Sequence, residues 1–539
     1  MSRTQRTSIT WALALALSAV QGLACGSGPK KSGVAPVSLI AVPRVVSGVF
    51  LDAATQRPIA GKLEVTVLDP SGALAAVAVD QVGNPMSHFT VQDGVATFRI
   101  SPAVQLPQSV TVIGKVAGYD SGSAAVSVTS EAGARFKVSL VNLAAPPAGV
   151  SAVGVPIGDA TTAGVLTAGA TVTTPVEPHT GGEVQIAIPP GTTLTTSAGV
   201  PLSGALMAGV TFFDNRDASS LAAYPGGFGS APPLSLGGPP GVFLSGGFGA
   251  VEISDLSGHV AGRYSAPITV NLTVPFTTVN PVTGKPVQPG DVIPLWTFDD
   301  ATGLWSSAGN VTLGPGTLGT NYVATAQITQ GNYFNVDWDV ARCTSPAVIS
   351  VTGSFAQPLT IDVQSTGNGY FETADLYSGT STFAVSDAPA NVPAIVTAWY
   401  GGQQVGSLSV SNLCGGAFVL PVSLPTFQMS NLEVTAYEVC VEDPSQQAPL
   451  PSATALVAPA AGGTPLLQTT DAAGATRFTQ LLAGTPYTVS VTSLLANADL
   501  SETTVVQALT PVAGDNAVTV KVPVTCTPYT VTGTGGAGF

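Results

Sequence analysis

Acid–base or nucleophilic catalysis needs a side chain that titrates near neutrality beside a nucleophile, with donors aimed at the charge that develops. Three histidines are available, His88, His179 and His259, and none has another histidine or a cysteine near it in sequence. Neither a Gly-x-Ser-x-Gly elbow nor a His-Glu-x-x-His pair occurs. The expectation is a chain that is not an enzyme and carries no cofactor. Two acidic pairs, Asp299 with Asp300 and Asp337 with Asp339, offer oxygen ligands to calcium, which takes about six to eight. The simpler reading, and the one preferred, involves no metal. It makes Asp299 and Asp300 a turn between strands and sets Asp337 and Asp339 on the solvent face of a strand around Trp338.

The aromatic residues raise a second possibility. Trp296 and Trp305 flank the turn in "IPLWTFDDATGLW", and Tyr333, Phe334 and Trp338 follow in "GNYFNVDWDVARC". Trp296, Trp305 and Trp338 could form a platform for a glycan, although aromatics that bracket turns in a sandwich more often plug its core. The stretch "YPGGFGSAPPLSLGGPPGVFLSGGFG", residues 224–249, lacks the lysine of a phosphate loop and reads as a long surface loop or a glycine-bulged strand pair.

The five cysteines argue about compartment. Arg3 and Arg6 precede the apolar run "ITWALALALSAVQGLA", which has signal-peptide length and is too short to span a bilayer. Gly22 and Ala24 are small enough for cleavage after Ala24, which leaves Cys25 at the new N-terminus. That placement resembles the bacterial lipoprotein signal, in which the cysteine is acylated. Gly22 stands where that signal usually has a large aliphatic residue, and the alternative is simple secretion. Setting Cys25 aside leaves Cys343, Cys414, Cys440 and Cys526, an even number that an oxidising compartment can pair completely. Cys526 continues the inward parity of Val518, Val520, Val522 and Val524, and Cys440 lies on the opening strand of the same unit. The expected bridges are therefore Cys440 with Cys526 and Cys343 with Cys414, one per domain.

The elements that must carry these residues are strands. "KLEVTVL", "EVQIAI", "ITVNLTV", "YTVSV" and "VTVKVPV" alternate apolar and polar residues with period two, and Gly, Pro, Asp or Asn turns bound them. No amphipathic helix follows the signal. The fold class is all-β, a series of Ig-like or prealbumin-like sandwiches behind a signal peptide. Texture changes divide the chain into a signal (1–24), the lipidated cysteine with a flexible linker (25–36) and a first sandwich (37–148). A larger β-rich region (149–342), a third sandwich (343–425), a fourth (426–528) and a frayed tail (529–539) follow. Only 9% of the residues are charged, against roughly 25% in ordinary soluble proteins. The net charge of −14 repels a phosphate backbone, which excludes nucleic-acid partners.

Two resemblances add to this. "VCVEDPSQQAPLPSATALV" followed by "TTDAAGATRFTQLLAGTPYTVSV" resembles the carboxypeptidase regulatory-like family, with Asp471 and Gly474 at its turn and Phe478, Leu481, Tyr487, Val489 and Val491 suited to its core. Gly48, Asp52, Pro58 and Gly61 give the first unit a weaker copy. The second region is similar to the extracellular β-rich region of cartilage intermediate layer proteins, which is ZU-like. Both resemblances imply noncatalytic modules. The expected protein is a lipid-anchored scaffold of a bacterial cell envelope, outer-membrane and either periplasmic or surface-facing, with the membrane as a partner through its anchor. An envelope protein or a glycan is the further partner expected; the alternative function is carbohydrate binding or adhesion through the aromatics of the second region.

Overall fold

The structure, a computed structural model, describes residues 33–35, 40–179, 181–230, 241–316, 319–352, 359–376, 381–400, 403–424, 428–494 and 504–529. Cys25 and the signal lie outside the described residues. Strands account for nearly all of the regular structure; the α-helix Ala218–Leu221, capped by Asp217, is a single turn.

The period-two pattern becomes burial directly. In Lys62–Leu68, Leu63, Val65 and Val67 are buried while Lys62 and Glu64 are exposed. In Gly514–Val524, Val518, Val520, Val522 and Val524 are buried between exposed neighbours.

The first, third and fourth units close in the same way. Each opening strand lies parallel to the last strand of its own unit: Val45–Asp52 with Ala134–Leu140, Ala347–Thr352 with Ala417–Pro421, and Met429–Cys440 with Gly514–Val524. In the first unit this pair belongs to one four-stranded sheet, which faces a second one across Phe50, Val65, Val112, Phe98 and Phe136. Gly48 shows how tight that core is, because a Cβ added there would lie 2.1 Å from the Phe136 ring. Gly48→Ala is expected to cost about 1–3 kcal/mol through overpacking, read as a lower denaturant midpoint at unchanged m-value.

In the fourth unit, the Asp471 carboxylate accepts from the backbone N–H groups of Ala473 and Ala475, and Gly474 turns the chain at φ +73°. Phe478, Leu481, Tyr487, Val489 and Val491 fill the core beyond that turn.

The second unit is built differently. Eleven strands form one sheet that folds back on itself. Its long strand Leu304–Gly314 pairs first with Val292–Asp299 and then, at Leu313 and Gly314, with Asn321–Gln330. Between the two halves lie Ile186, Val270, Leu272, Phe334, Val336 and Trp338.

The units are consecutive in sequence but not strung out in space. Val49, Leu51 and Val95 of the first unit bury against Leu456, Ala458 and Leu467 of the fourth, beside a 2.6 Å contact between the Ser47 and Thr454 hydroxyls. Lys137 pairs with Asp375 of the third unit at 2.8 Å, and Lys115 with Asp300 of the second at 2.9 Å. The first unit therefore touches all three others. The second and third units share one core, in which Phe213, Phe243 and Phe248 join Ile349, Ile361 and Val396. The change of texture near residue 342 thus marks a change of sheet rather than a gap in the packing. The flexible-linker reading needs correction at Gly33–Ala35, which pairs antiparallel with Thr527–Tyr529; residues 530–539 of the expected tail lie outside the described residues.

Candidate functional site

The three tryptophans do not form a platform. Trp305 and Trp338 are buried and Trp296 is partly buried. The indole N–H of Trp305 donates to the Pro225 carbonyl and that of Trp296 to the Asp337 carbonyl, both at 3.1 Å. The reason lies in the stretch read as a surface loop. Apart from residues 231–240, which lie outside the described residues, it packs inward. Tyr224 stacks on Phe228 with ring centroids 4.2 Å apart and on Trp305 at 5.3 Å, and Phe243 and Phe248 are wholly buried beside them.

This covering segment also explains the acidic residues. Tyr333–Ala341 is buried on both faces: Phe334, Val336 and Trp338 enter the second unit's own core, while the opposite face meets the shared aromatic cluster. Asp337 is consequently in no contact with solvent. Its carboxylate accepts from Tyr224 Oη at 2.6 Å and from Asn335 Nδ2 at 2.7 Å, and burial pushes its pKa up to about 7. Asp339, half-buried beside Gly241, is raised to about 6 by the same cause. The solvent-face reading of Asp337 and Asp339 is thus corrected.

Asp299 does make the turn, holding the Ala301 N–H at 2.9 Å. Asp300 is turned inward to Lys115 and the Ser121 hydroxyl, also at 2.9 Å, and docks the first unit on the second. With Asp299 in a turn, Asp300 on Lys115 and Asp337 on Tyr224, three of the four calcium candidates are engaged separately. Among the described residues no group of three or more His, Cys, Asp or Glu side chains converges in a way that could hold a metal. The histidines are likewise apart: His88 lies beside Thr66 in the first unit, and His259 contacts Asp255 at 3.0 Å in the second. Two disulfides are present, Cys343 with Cys414 and Cys440 with Cys526, with Cα atoms 5.0 and 5.3 Å apart.

What the sequence reading missed is the fourth mature-region tryptophan. In Ala394–Tyr400 the buried residues are Ala394, Val396, Ala398 and Tyr400, so Trp399 projects from the outer face of the third unit's sheet. Across the ladders it lies level with Thr360 and Gln404, and Thr360 is level with Asp375. The next row sets Thr373, Asp362, Thr397 and Ser407 side by side. An outward tryptophan in a strand of alternating parity was the available signal.

This face touches the fourth unit where the Thr360 and Thr464 hydroxyls meet at 2.7 Å. Beside that contact it borders a groove lined by Arg135, Lys137 and Ser139 of the first unit, Gly463, Leu467 and Thr469 of the fourth and Ala218, Ser219 and Ala222 of the second. Three clefts of about 590, 500 and 310 Å³ meet there, and all three are lined by Lys137 and Thr373. The charges are largely matched. Lys137 is paired with Asp375, Asp362 is buried enough for its carboxyl pKa to rise, and Glu372, bonded by the Tyr370 hydroxyl at 2.7 Å, is pushed up to about 7.

No family model and no curated protein matches the chain. Among solved structures it is similar to the Bacillus anthracis TIE protein, at 12% identity over 70% of this chain and 58% of that one, with a TM-score of 0.14. This chain therefore spans under two thirds of that protein's length. A streptococcal ancillary pilin is similar at 12% identity over 45% of this chain and 95% of that one, with a TM-score of 0.13. Two B repeats of the collagen binding protein of Staphylococcus aureus align at 10% identity over 89% of this chain and all of theirs, again with a TM-score of 0.13. At such scores these likenesses assign no function, and the fold class, consecutive β-sandwiches, stands on the strands and sheets described above.

Proposed function

We propose that this chain is a noncatalytic scaffold of a bacterial cell envelope, attached to a membrane through acylated Cys25. The observation that carries the reading is the way the body is assembled. Buried contacts and ion pairs from the first unit hold the other three, and the paired terminal strands bring the tether in beside the end of the fourth sandwich.

Such packing suits a rigid body rather than a flexible stalk. Cys25 precedes the paired segment Gly33–Ala35 by eight positions, which span at most roughly 28 Å when extended. The scaffold then sits close to the bilayer, and its ligands or partners are met near the membrane surface. The resemblances to carboxypeptidase regulatory-like and ZU-like modules support the same reading, since both imply binding or structural roles.

The test is phase partition of the protein expressed in a bacterial host. The wild type is expected in the detergent phase with an acylated N-terminal cysteine by mass spectrometry, and Cys25→Ser in the aqueous phase. An unmodified N-terminal Cys25 in the wild type would sink the anchor and leave the secreted form as the reading.

A further inference from the structure

We propose that the groove along the outer face of the third unit's sheet, where its neighbours meet it, binds a neutral oligosaccharide, with one sugar ring stacked on Trp399. This goes beyond the scaffold reading and does not depend on the anchor.

The size fits first. The central cleft, of about 500 Å³, lies within the roughly 300–1,000 Å³ range of small-molecule sites, and it runs into two neighbours that share Lys137 and Thr373. A ligand that fills such a groove is extended rather than a single compact molecule.

The lining then selects among extended ligands. One wall is a sheet face that presents rows of Thr, Asp, Gln and Ser around an aromatic ring. The C–H face of a hexopyranose packs on indole, while hydroxyl, carboxyl and amide groups at strand spacing meet its hydroxyls. The opposite wall, Arg135, Lys137 and Ser139, is also the outer face of a sheet. Walls made of sheet faces offer side chains, whereas an extended peptide is best held by the backbone groups of an open edge.

Charge supports neutrality. Arg135 and Lys137 are matched by Asp362 and Asp375, so the groove has no surplus of cations to hold a phosphate or a polyanion. The indole nitrogen of Trp399 is out of contact with solvent and lies beside the Asp362 carboxylate, whose charged form its N–H favours, so the ring is held in place on the sheet.

The experiment is isothermal titration of the full-length, detergent-solubilised protein with cellohexaose, maltohexaose and N-acetylchitohexaose, followed in parallel by tryptophan fluorescence. At least one is expected to bind and to change the emission. Trp399→Ala is expected to weaken that binding by about tenfold or more. Thr373→Trp, which adds bulk at an exposed position where the clefts meet, is expected to block it while the protein stays folded by circular dichroism; it carries the test if Trp399→Ala is unstable. No binding of any of the three at millimolar concentration overturns the proposal, as does binding that survives Thr373→Trp in full. Either result leaves membrane partition untouched, so failure here is distinct from failure of the scaffold reading.

Discussion

Replacing both Cys440 and Cys526 with alanine is expected to lower the stability of the fourth sandwich by about 4–5 kcal/mol. The bridge joins residues 86 positions apart, and in the chain-entropy model a loop of that size restricts the unfolded chain strongly. The folded unit depends on this because its main core is small: among the described residues, Leu432, Val434, Phe478, Tyr487 and Val520 belong to a cluster of sixteen buried side chains. The bridge also closes the end of the parallel pair Met429–Cys440 and Gly514–Val524, whose register runs unbroken from Ser430 to Cys440. Calorimetry of the double variant should therefore show the fourth unit melting well before the rest. A melting profile that coincides with the wild type, in a protein whose bridge has been verified by peptide mapping, would refute the argument.

The second large effect concerns pH. Asp337 has an unfolded pKa of 3.8 and a folded one of about 7, because burial disfavours its charge. Between these values the folded protein holds a proton that the unfolded chain releases, so stability falls as pH rises from about 4 to about 7. The full effect is on the order of 4 kcal/mol, lost once the pH exceeds the folded value. Asp120, raised to about 7 at the junction of the first and second units, acts in the same direction. Asp255, held near 2 by His259 and backbone N–H groups against the opposing effect of burial, acts in the opposite sense but below pH 4, outside that window. Denaturant titrations at pH 5 and pH 8 are expected to show the wild type more stable in acid. Asp337→Asn is expected to remove its own share of that difference and to leave the shares of Asp120 and Glu372, since the amide cannot ionise and still accepts from Tyr224 Oη. Equal slopes for the two proteins would place the pH dependence elsewhere.

Both predictions turn on features that were unequally legible in the sequence. The cysteine parity in "VTVKVPVTC" is readable because a strand alternates strictly, so Cys526 had to face inward with Val522 and Val524. Asp337 obeys the same alternation, yet its environment could not be inferred. Alternation tells one face from the other but does not reveal that both are covered. Here the second face is covered by Tyr224, Phe228 and the third unit, whose strands begin ten or more residues further along the chain. The same limit applied to the tryptophans. Trp296 and Trp305 bracket a turn, and only the inward path of residues 224–230 made that end of the sheet interior.

The residues by themselves determined the all-β class and the strand faces, because these depend on local periodicity and on residue type. The tertiary structure decided which faces stay open to solvent. It buried the aromatic platform, drew Asp300 onto Lys115, tied the linker to the C-terminal strand and opened a groove at Trp399. Each of these depends on contacts between segments far apart in the chain, and such contacts are set by how whole sheets pack, which no local pattern encodes.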